Sequence, residues 1–332
     1  MSRSTARRSA VTAAVIGRCT GPFWRGCGTG VVRTPGDGRH RRLGRSCWMA
    51  RCTGPYAARM RSLVKLDDWS ASDVDAVFDL ADAFRAGRGP VTEGAAVMFF
   101  PPTSLRTRAT FERGASLMGL EPIVFPDTTL DKPEALSDVA RYLENWVDIV
   151  VVRHHDLAVV HALAAAHALP VVNAMTDDNH PCEVLSDLHA LRQRGDITVM
   201  RFLFVGADGN IARAWQEAAR VLQLDLIQCC PAELATPGAA WTDDLEAAVR
   251  SADVVLTDGP GAHADALEQY RITAALLDLA PPGVRFNPCP PFVRGREVSV
   301  DAVEHAAFVG HDFKAGLLPV QQAVMAFCLG LG

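Results

Sequence analysis

From residue 60 onward the apolar residues alternate between two spacings. Within 69–84 they recur as Val74, Val77, Phe78, Leu80, Ala81 and Phe84, the stripe of a helix with one buried face. Residues 95–100 form a short unbroken apolar run stopped by Pro101-Pro102, which predicts a buried strand. The same contrast predicts helices over 105–118, 134–146, 157–167 and 181–194, and strands over 122–125, 149–152 and 170–172. After a turn at Gly195-Asp196 the alternation restarts, with strands over 199–205, 224–229 and 254–257 and helices over 211–222 and 243–250. A last helix is expected over about 318–329.

Strand–helix alternation of this length calls for parallel sheets covered by helices on both faces. The expected fold is α/β, with two doubly wound parallel-sheet domains at 60–195 and 196–317. The terminal segment 318–332 is free to pack back on the first. In such folds ligands sit outside the carboxyl ends of the strands, so the informative residues should lie just after strands.

Residues 1–60 show neither period. Gly, Arg, Pro and Trp are scattered through them, and Arg-Cys-Thr-Gly-Pro occurs twice, at 18–22 and 51–55. A basic start before an apolar stretch at 10–16 faintly matches a signal peptide, without a small-residue cleavage pattern, and Arg-rich, acid-poor sequence also fits a transit peptide. The favoured expectation is a disordered or mis-started extension over 1–59, with the natural chain starting near Met60.

Charge sharpens the contrast between the two parts. Residues 1–60 hold twelve Arg, no Lys and one Asp, about +11, so the net charge of −5 leaves about −16 for the rest. A body that acidic argues against a nucleic-acid surface, and an anionic ligand needs a local cluster of cations. Four of the nine Cys lie in the first sixty residues. The other five (Cys182, Cys229, Cys230, Cys289 and Cys328) show no metal or disulfide spacing, which suits a reducing compartment and a cytoplasmic protein. No apolar stretch approaches the length of a membrane span. With 49% apolar and 21% charged residues, the chain has the material for two packed cores.

Three strand ends carry the candidate chemistry. The strand at 95–100 runs into Thr103-Ser104-Leu105-Arg106-Thr107-Arg108. At such a handover to a helix, free N–H groups and the positive helix end attract anions, Ser104 and Thr107 add hydroxyl donors, and Arg106 can grip phosphate in a two-pronged fashion. Thr-Ser before a helix is also an ordinary cap, and Arg108 an ordinary surface residue. Arg153 closes the strand at 149–152, and His180 lies in the loop after the strand ending at Val172. Singly, these read as a salt-bridged Arg and a structural His. Together they describe one pocket for a small phosphate-bearing ligand.

These residues resemble the aspartate/ornithine carbamoyltransferase family. Its Ser-x-Arg-Thr-Arg…Phe-Glu motif is similar to Ser104–Arg108 with Phe111-Glu112, and its His-Pro-Cys-Gln-x-Leu-x-Asp segment to His180–Asp187 with Glu183 in place of Gln. Its mobile Lys-x-Glu loop is similar to Lys132-Pro133-Glu134, and its strand-end Arg to Arg153. The resemblance covers about 60–330. It implies a carbamoyl-phosphate domain at 60–195, an amino-acid domain at 196–317 and a homotrimer with sites at subunit interfaces. It implies no metal or organic cofactor. Ser104, Arg106, Thr107 and Arg153 are then expected on the phosphate, with the main chain of Leu105. His180 and Arg153 are expected on the carbamoyl oxygen, and Lys132 in a neighbouring subunit's site.

In the second half, Gly206-Ala207-Asp208-Gly209-Asn210 lacks the three-glycine spacing of a dinucleotide loop and looks like the ornithine enzymes' Gly-Asp-x-Asn-Asn segment. Asn210 and Asp258 are the acceptor-binding residues that this implies. Asp258 also reads as a turn residue before Gly259-Pro260-Gly261. The departures are specific. Glu183 stands where the family's Gln contacts the carbamoyl amide, and a carboxylate there repels phosphate unless a cation or proton compensates. Leu105 replaces a Thr, the Ser-Met-Gly loop after Asp258 is absent, and Asn287-Pro288-Cys289-Pro290 resembles a loop whose His is changed to Asn. The main chain of Pro288 and Cys289 is expected to keep that loop's carbamoyl contact. The family's late Arg falls at Leu317. The expected activity is carbamoyl transfer from carbamoyl phosphate to an amine of a small amino acid, ornithine the first candidate. The competing expectations are a homologue that binds an anion or a partner without turnover, and a different phosphate-handling α/β enzyme.

Overall fold

The computed structural model describes residues 61–331; the expectations for 1–60, including a start near Met60, lie outside the described residues. Helix α1 (Ala71–Arg85) starts at a capping box: the Ser70 hydroxyl accepts from the Asp73 N–H, and the Asp73 carboxylate accepts from the Ser70 N–H. There follow β1 (Gly94–Phe99), α2 (Arg106–Met118), β2 (Leu120–Phe125), α3 (Leu136–Leu143), β3 (Ile149–Arg153), α4 (Leu157–Ala165), β4 (Val171–Met175) and α5 (Pro181–Arg192). The second half runs β5 (Arg201–Val205), α6 (Asn210–Leu222), β6 (Asp225–Cys229), β7 (Trp241–Thr242), α7 (Leu245–Val249), β8 (Val254–Thr257), α8 (Ala274–Leu277), β9 (Arg285–Pro288) and α9 (Leu317–Cys328).

The strands form two all-parallel sheets, ordered β2-β1-β3-β4 and β7-β6-β5-β8-β9. Each is covered on both faces, which explains the continuous apolar runs in the sequence. In β1, Ala96 and Met98 face one core while Ala95, Val97 and Phe99 face another. In β5, Phe202 and Phe204 join the same first core, and Leu203 and Val205 a third. The shared core also holds buried residues of α1, α2, α5, α6 and α9, so it runs from one sheet to the other. The expected fold, two doubly wound parallel-sheet domains with a terminal helix returning to the first, is the one observed.

Three local expectations are corrected. The helix expected over 134–146 is confined to α3, because 127–131 already form a 3-10 turn and Pro133 interrupts the chain before it. The strand expected to open at 199 starts two residues later; Ile197–Val199 is a 3-10 turn with Val199 exposed. Asn287-Pro288 is the end of β9 rather than loop, with Pro288 opposite Thr257 at the last position of the ladder. A proline is tolerated there because no further strand bond depends on it. No helix among the described residues is long and apolar enough to cross a membrane.

Helix α9 packs on α1, α2 and α5, and its Phe327 ring meets Trp69 edge-on at 5.0 Å. Gly114 in α2 lets α9 approach: a Cβ there would lie 3.1 Å from Gln322 Cγ and 3.5 Å from Leu318 Cδ1. We predict that Gly114→Leu forces the two helices apart and lowers unfolding stability by about 1–3 kcal/mol, read as a lower urea midpoint. An unchanged midpoint would show that this contact is slack.

Candidate active site

The carboxyl ends of β1, β3 and β4 converge. Helix α2 begins at Arg106 with Leu105 as its N-cap and no side chain capping it. The simple-cap reading of Thr103-Ser104 therefore fails, and the helix end stays free for an anion. Buried Ser104 and Thr107 instead turn their hydroxyls to Arg153, whose Nη1 donates to Ser104 Oγ and Thr107 Oγ1, each at 3.3 Å. Arg153 ends β3 at a register shift and is partly buried. Burial, and then the positive charge of Arg106, lower its pKa. Two guanidiniums lining one cavity could together grip an anion.

His180 sits on a loop that is clamped rather than loose. Thr176 and Asn179 close a turn on each other, Asn179 Nδ2 donates to Glu217 of α6 at 2.9 Å, and Asn210 Nδ2 donates to Thr176 O at 2.8 Å. Arg213 of α6 pairs with Asp178 at 2.7 Å. Burial lowers the His180 pKa to about 4, with Arg153 and Lys314 adding to the shift and Glu183 opposing it, and Nδ1 has no hydrogen-bond partner among the described residues. The ring is therefore neutral at pH 7.

One cavity of about 350 Å³ is lined by Leu105, Arg106, Thr107, Arg153, His180, Glu183, Asn210, Asp258 and Cys289, with Thr103, Met175, Ile211, Pro290 and Pro291. Ser104 touches it through Arg153. Residues from 103 to 291 thus meet at one place. Asp258 also borders a second cavity of about 200 Å³, and burial raises its pKa to about 6 against the Gly259 N–H that its carboxylate accepts. One expectation is corrected. Pro288 is buried in β9 and does not line the cavity, because the ladder turns it away; Pro290 and Pro291 take that place. Arg108, read from the sequence as a surface residue, is partly exposed and pairs with Glu112 one turn on. Lys132 is exposed after a 3-10 turn and does not line this cavity.

Sequence reasoning missed Lys314. It lies in a 3-10 turn just before α9, and its Nζ donates to Glu183 Oε1 at 2.7 Å and Asp187 Oδ1 at 2.5 Å. Buried Asn287 donates to the other Asp187 oxygen at 2.9 Å. Lys314 holds the Glu183 pKa down against burial, and these carboxylates push the Lys314 pKa up. Leu317, where the family's late Arg falls, is buried in the core, and Lys314 lies one turn before it. Among the described residues no group of three or more His, Cys, Asp or Glu is placed to hold a metal ion.

Two parallel-sheet domains whose strand ends share one cavity lined by Arg106, Arg153 and His180 define the class, a two-domain α/β protein. Residues 61–193 match the family described as Aspartate/ornithine carbamoyltransferase, carbamoyl-P binding domain. The chain is 30% identical over 303 residues to an ornithine carbamoyltransferase of Nitrobacter winogradskyi, covering 82% of this chain and 98% of that one. It is 31% identical over 294 residues to one of Methanothermobacter thermautotrophicus, covering 79% and 98%. The solved ornithine carbamoyltransferase from Pyrococcus furiosus superposes with a TM-score of 0.76 at 26% identity, over 82% of this chain and 97% of that one. The chain belongs to the aspartate/ornithine carbamoyltransferase family, in its ornithine branch, and is an enzyme of the transferase class.

Neutral His180 carries a stability signature. Its folded pKa of about 4 lies below the ordinary 6.5, so between those values the unfolded chain binds more protons. Its contribution to stability is complete above pH 6.5 and is lost as pH falls toward 4, by about 3 kcal/mol. The stability of wild type relative to His180→Asn should fall by about that much between pH 7 and pH 4 in urea titrations. A pH-independent difference would mean that the ring is solvated.

Proposed function

We propose that the protein transfers the carbamoyl group of carbamoyl phosphate to the side-chain amine of ornithine, giving a citrulline-type ureido product and phosphate. The observation that carries this reading is the Arg106–Arg153 pair at the start of helix α2, lining one cavity with neutral His180 and with Asp258. Ser104, Arg106, Thr107, Arg153 and the free N–H groups after Leu105 hold the phosphate. The match of residues 61–193 to a carbamoyl-P binding domain supports assigning 60–195 to that substrate, with 196–317 taking the acceptor and 318–332 returning to the first domain.

The chemistry follows from the charges. An uncharged amine attacks the carbamoyl carbon and negative charge grows on its oxygen; the C–O bond to phosphate then breaks, and the departing phosphate takes the proton that the amine nitrogen sheds. Arg153 and the His180 ring stabilise the oxyanion, and the phosphate contacts stabilise the departing dianion. Fixing both substrates in one cavity replaces a bimolecular encounter by an oriented one. The Asp258 carboxylate, ionised above about pH 6, takes the acceptor's α-ammonium, and Asn210 lines the same end. Glu183 and the main chain of Cys289 face the carbamoyl amide. The names of the similar proteins support ornithine as the acceptor. We further assign the protein to the cytoplasm and to a homotrimer in which Lys132 serves a neighbour's site. The competing idea of a homologue without turnover rested on Glu183, Asn287 and Leu317. Lys314 offsets the first and Asp187 occupies the second, so no observation favours it.

Arg106→Ala should lower turnover by about 10²–10³ in a colorimetric ureido assay with carbamoyl phosphate and ornithine. Turnover within a few-fold of wild type would remove Arg106 from the mechanism. In the same assay across a panel of amines, ornithine should give the highest kcat/KM; a different winner would leave the carbamoyl half intact and overturn the acceptor.

A further inference from the structure

Helix α5 places Glu183 and Asp187 one turn apart, both almost fully buried, and Lys314 reaches both. The two carboxylates are not equivalent. Asp187 uses both oxygens, one on Lys314 and one on Asn287. Glu183 uses only Oε1; its Oε2 has no hydrogen-bond partner among the described residues, and the side chain lines the cavity beside Arg106 and Arg153. An ionised carboxylate accepts hydrogen bonds and donates none. Next to a phosphate dianion, a buried carboxylate without its cation takes up a proton and becomes a donor.

We propose that Lys314 is a positioning residue that holds Glu183 as an acceptor-only group facing the cavity, so that the site selects a phosphate compound carrying an N–H donor over one carrying a carboxylate in the same place. The inference rests on the reading of the cavity as a carbamoyl-phosphate site. It gives the replacement of an amide by Glu183 a purpose: the amide presents both a donor and an acceptor, whereas the lysine-paired carboxylate presents an acceptor alone.

Calorimetry with two unreactive probes tests it, phosphonoacetamide with N–H donors and phosphonoacetate with a carboxylate, alongside carbamoyl phosphate. Wild type should prefer phosphonoacetamide at least about tenfold, and Lys314→Arg should keep that preference. Lys314→Met should bind phosphonoacetamide about tenfold more weakly and lose the preference. Adding Glu183→Gln to Lys314→Met should bring phosphonoacetamide binding back to within about threefold of wild type, since no charge is left to balance. A Lys314→Met protein that melts earlier yet keeps the preference makes Lys314 merely structural and overturns the proposal. Should Lys314→Met fail to fold, Glu183→Gln alone decides, because it must lose the preference about tenfold; retention overturns the proposal. Wild type that binds carbamoyl phosphate without preferring either probe sinks this inference alone. Wild type that binds none of the three sinks the function reading with it.

Discussion

Two carboxylates buried one turn apart on α5 are tolerable only if something cancels them, and that demand organises the centre of the molecule. An uncompensated buried charge costs several kcal/mol. Here the compensation comes from far along the chain: Lys314, in the turn that enters α9, and Asn287, on the edge strand of the second sheet. Satisfying α5 therefore brings together the helix after the first sheet, the last strand of the second and the start of the final helix. The cavity opens where these meet.

On its other side the cavity has the opposite problem. Arg106 and Arg153 lie close enough to repel, and among the described residues no carboxylate makes an ion pair with Arg153, in a body that is otherwise strongly acidic. A concentrated cationic site in an acidic surface draws in a small anion while the surroundings repel bulkier ones, which suits a compact phosphate compound better than a polyanion. The loop bearing His180 is held between these two regions by α6, whose Glu217 also accepts from the Leu66 N–H at 3.0 Å. The imidazole therefore owes its position to both halves of the chain, although its sequence neighbours all belong to the first.

Much of this was legible in the sequence because parallel α/β folds put function at strand ends, and the strands announce themselves as apolar runs. Ser104, Arg106, Thr107, Arg153 and His180 were placed by that rule alone. Asp258 and Asn210 followed from resemblance, and the structure brings both to the same cavity. What stayed hidden was pairing at a distance. Lys314 is 131 residues from Glu183 and lies in a short 3-10 turn with no periodic signature. Position 317 attracted attention because the family's late Arg falls there, yet a shift by about one helical turn presents a side chain from nearly the same direction. Strand β9 escaped because it ends in Asn-Pro, a pair that ordinarily marks a turn.

The return of α9 to α1 and α2 bears on how the chain is made. The helix that completes the first domain leaves the ribosome only after the whole second domain. Until then the apolar faces of α1 and α2, including the groove at Gly114 and the Trp69 side that Phe327 covers, stand open to water. The sheet of the second domain needs no later strand, since β5 to β9 pair only with one another. The domain translated first thus finishes folding second, and during that interval its uncovered helices are the part of the nascent chain most exposed to aggregation and to chaperones.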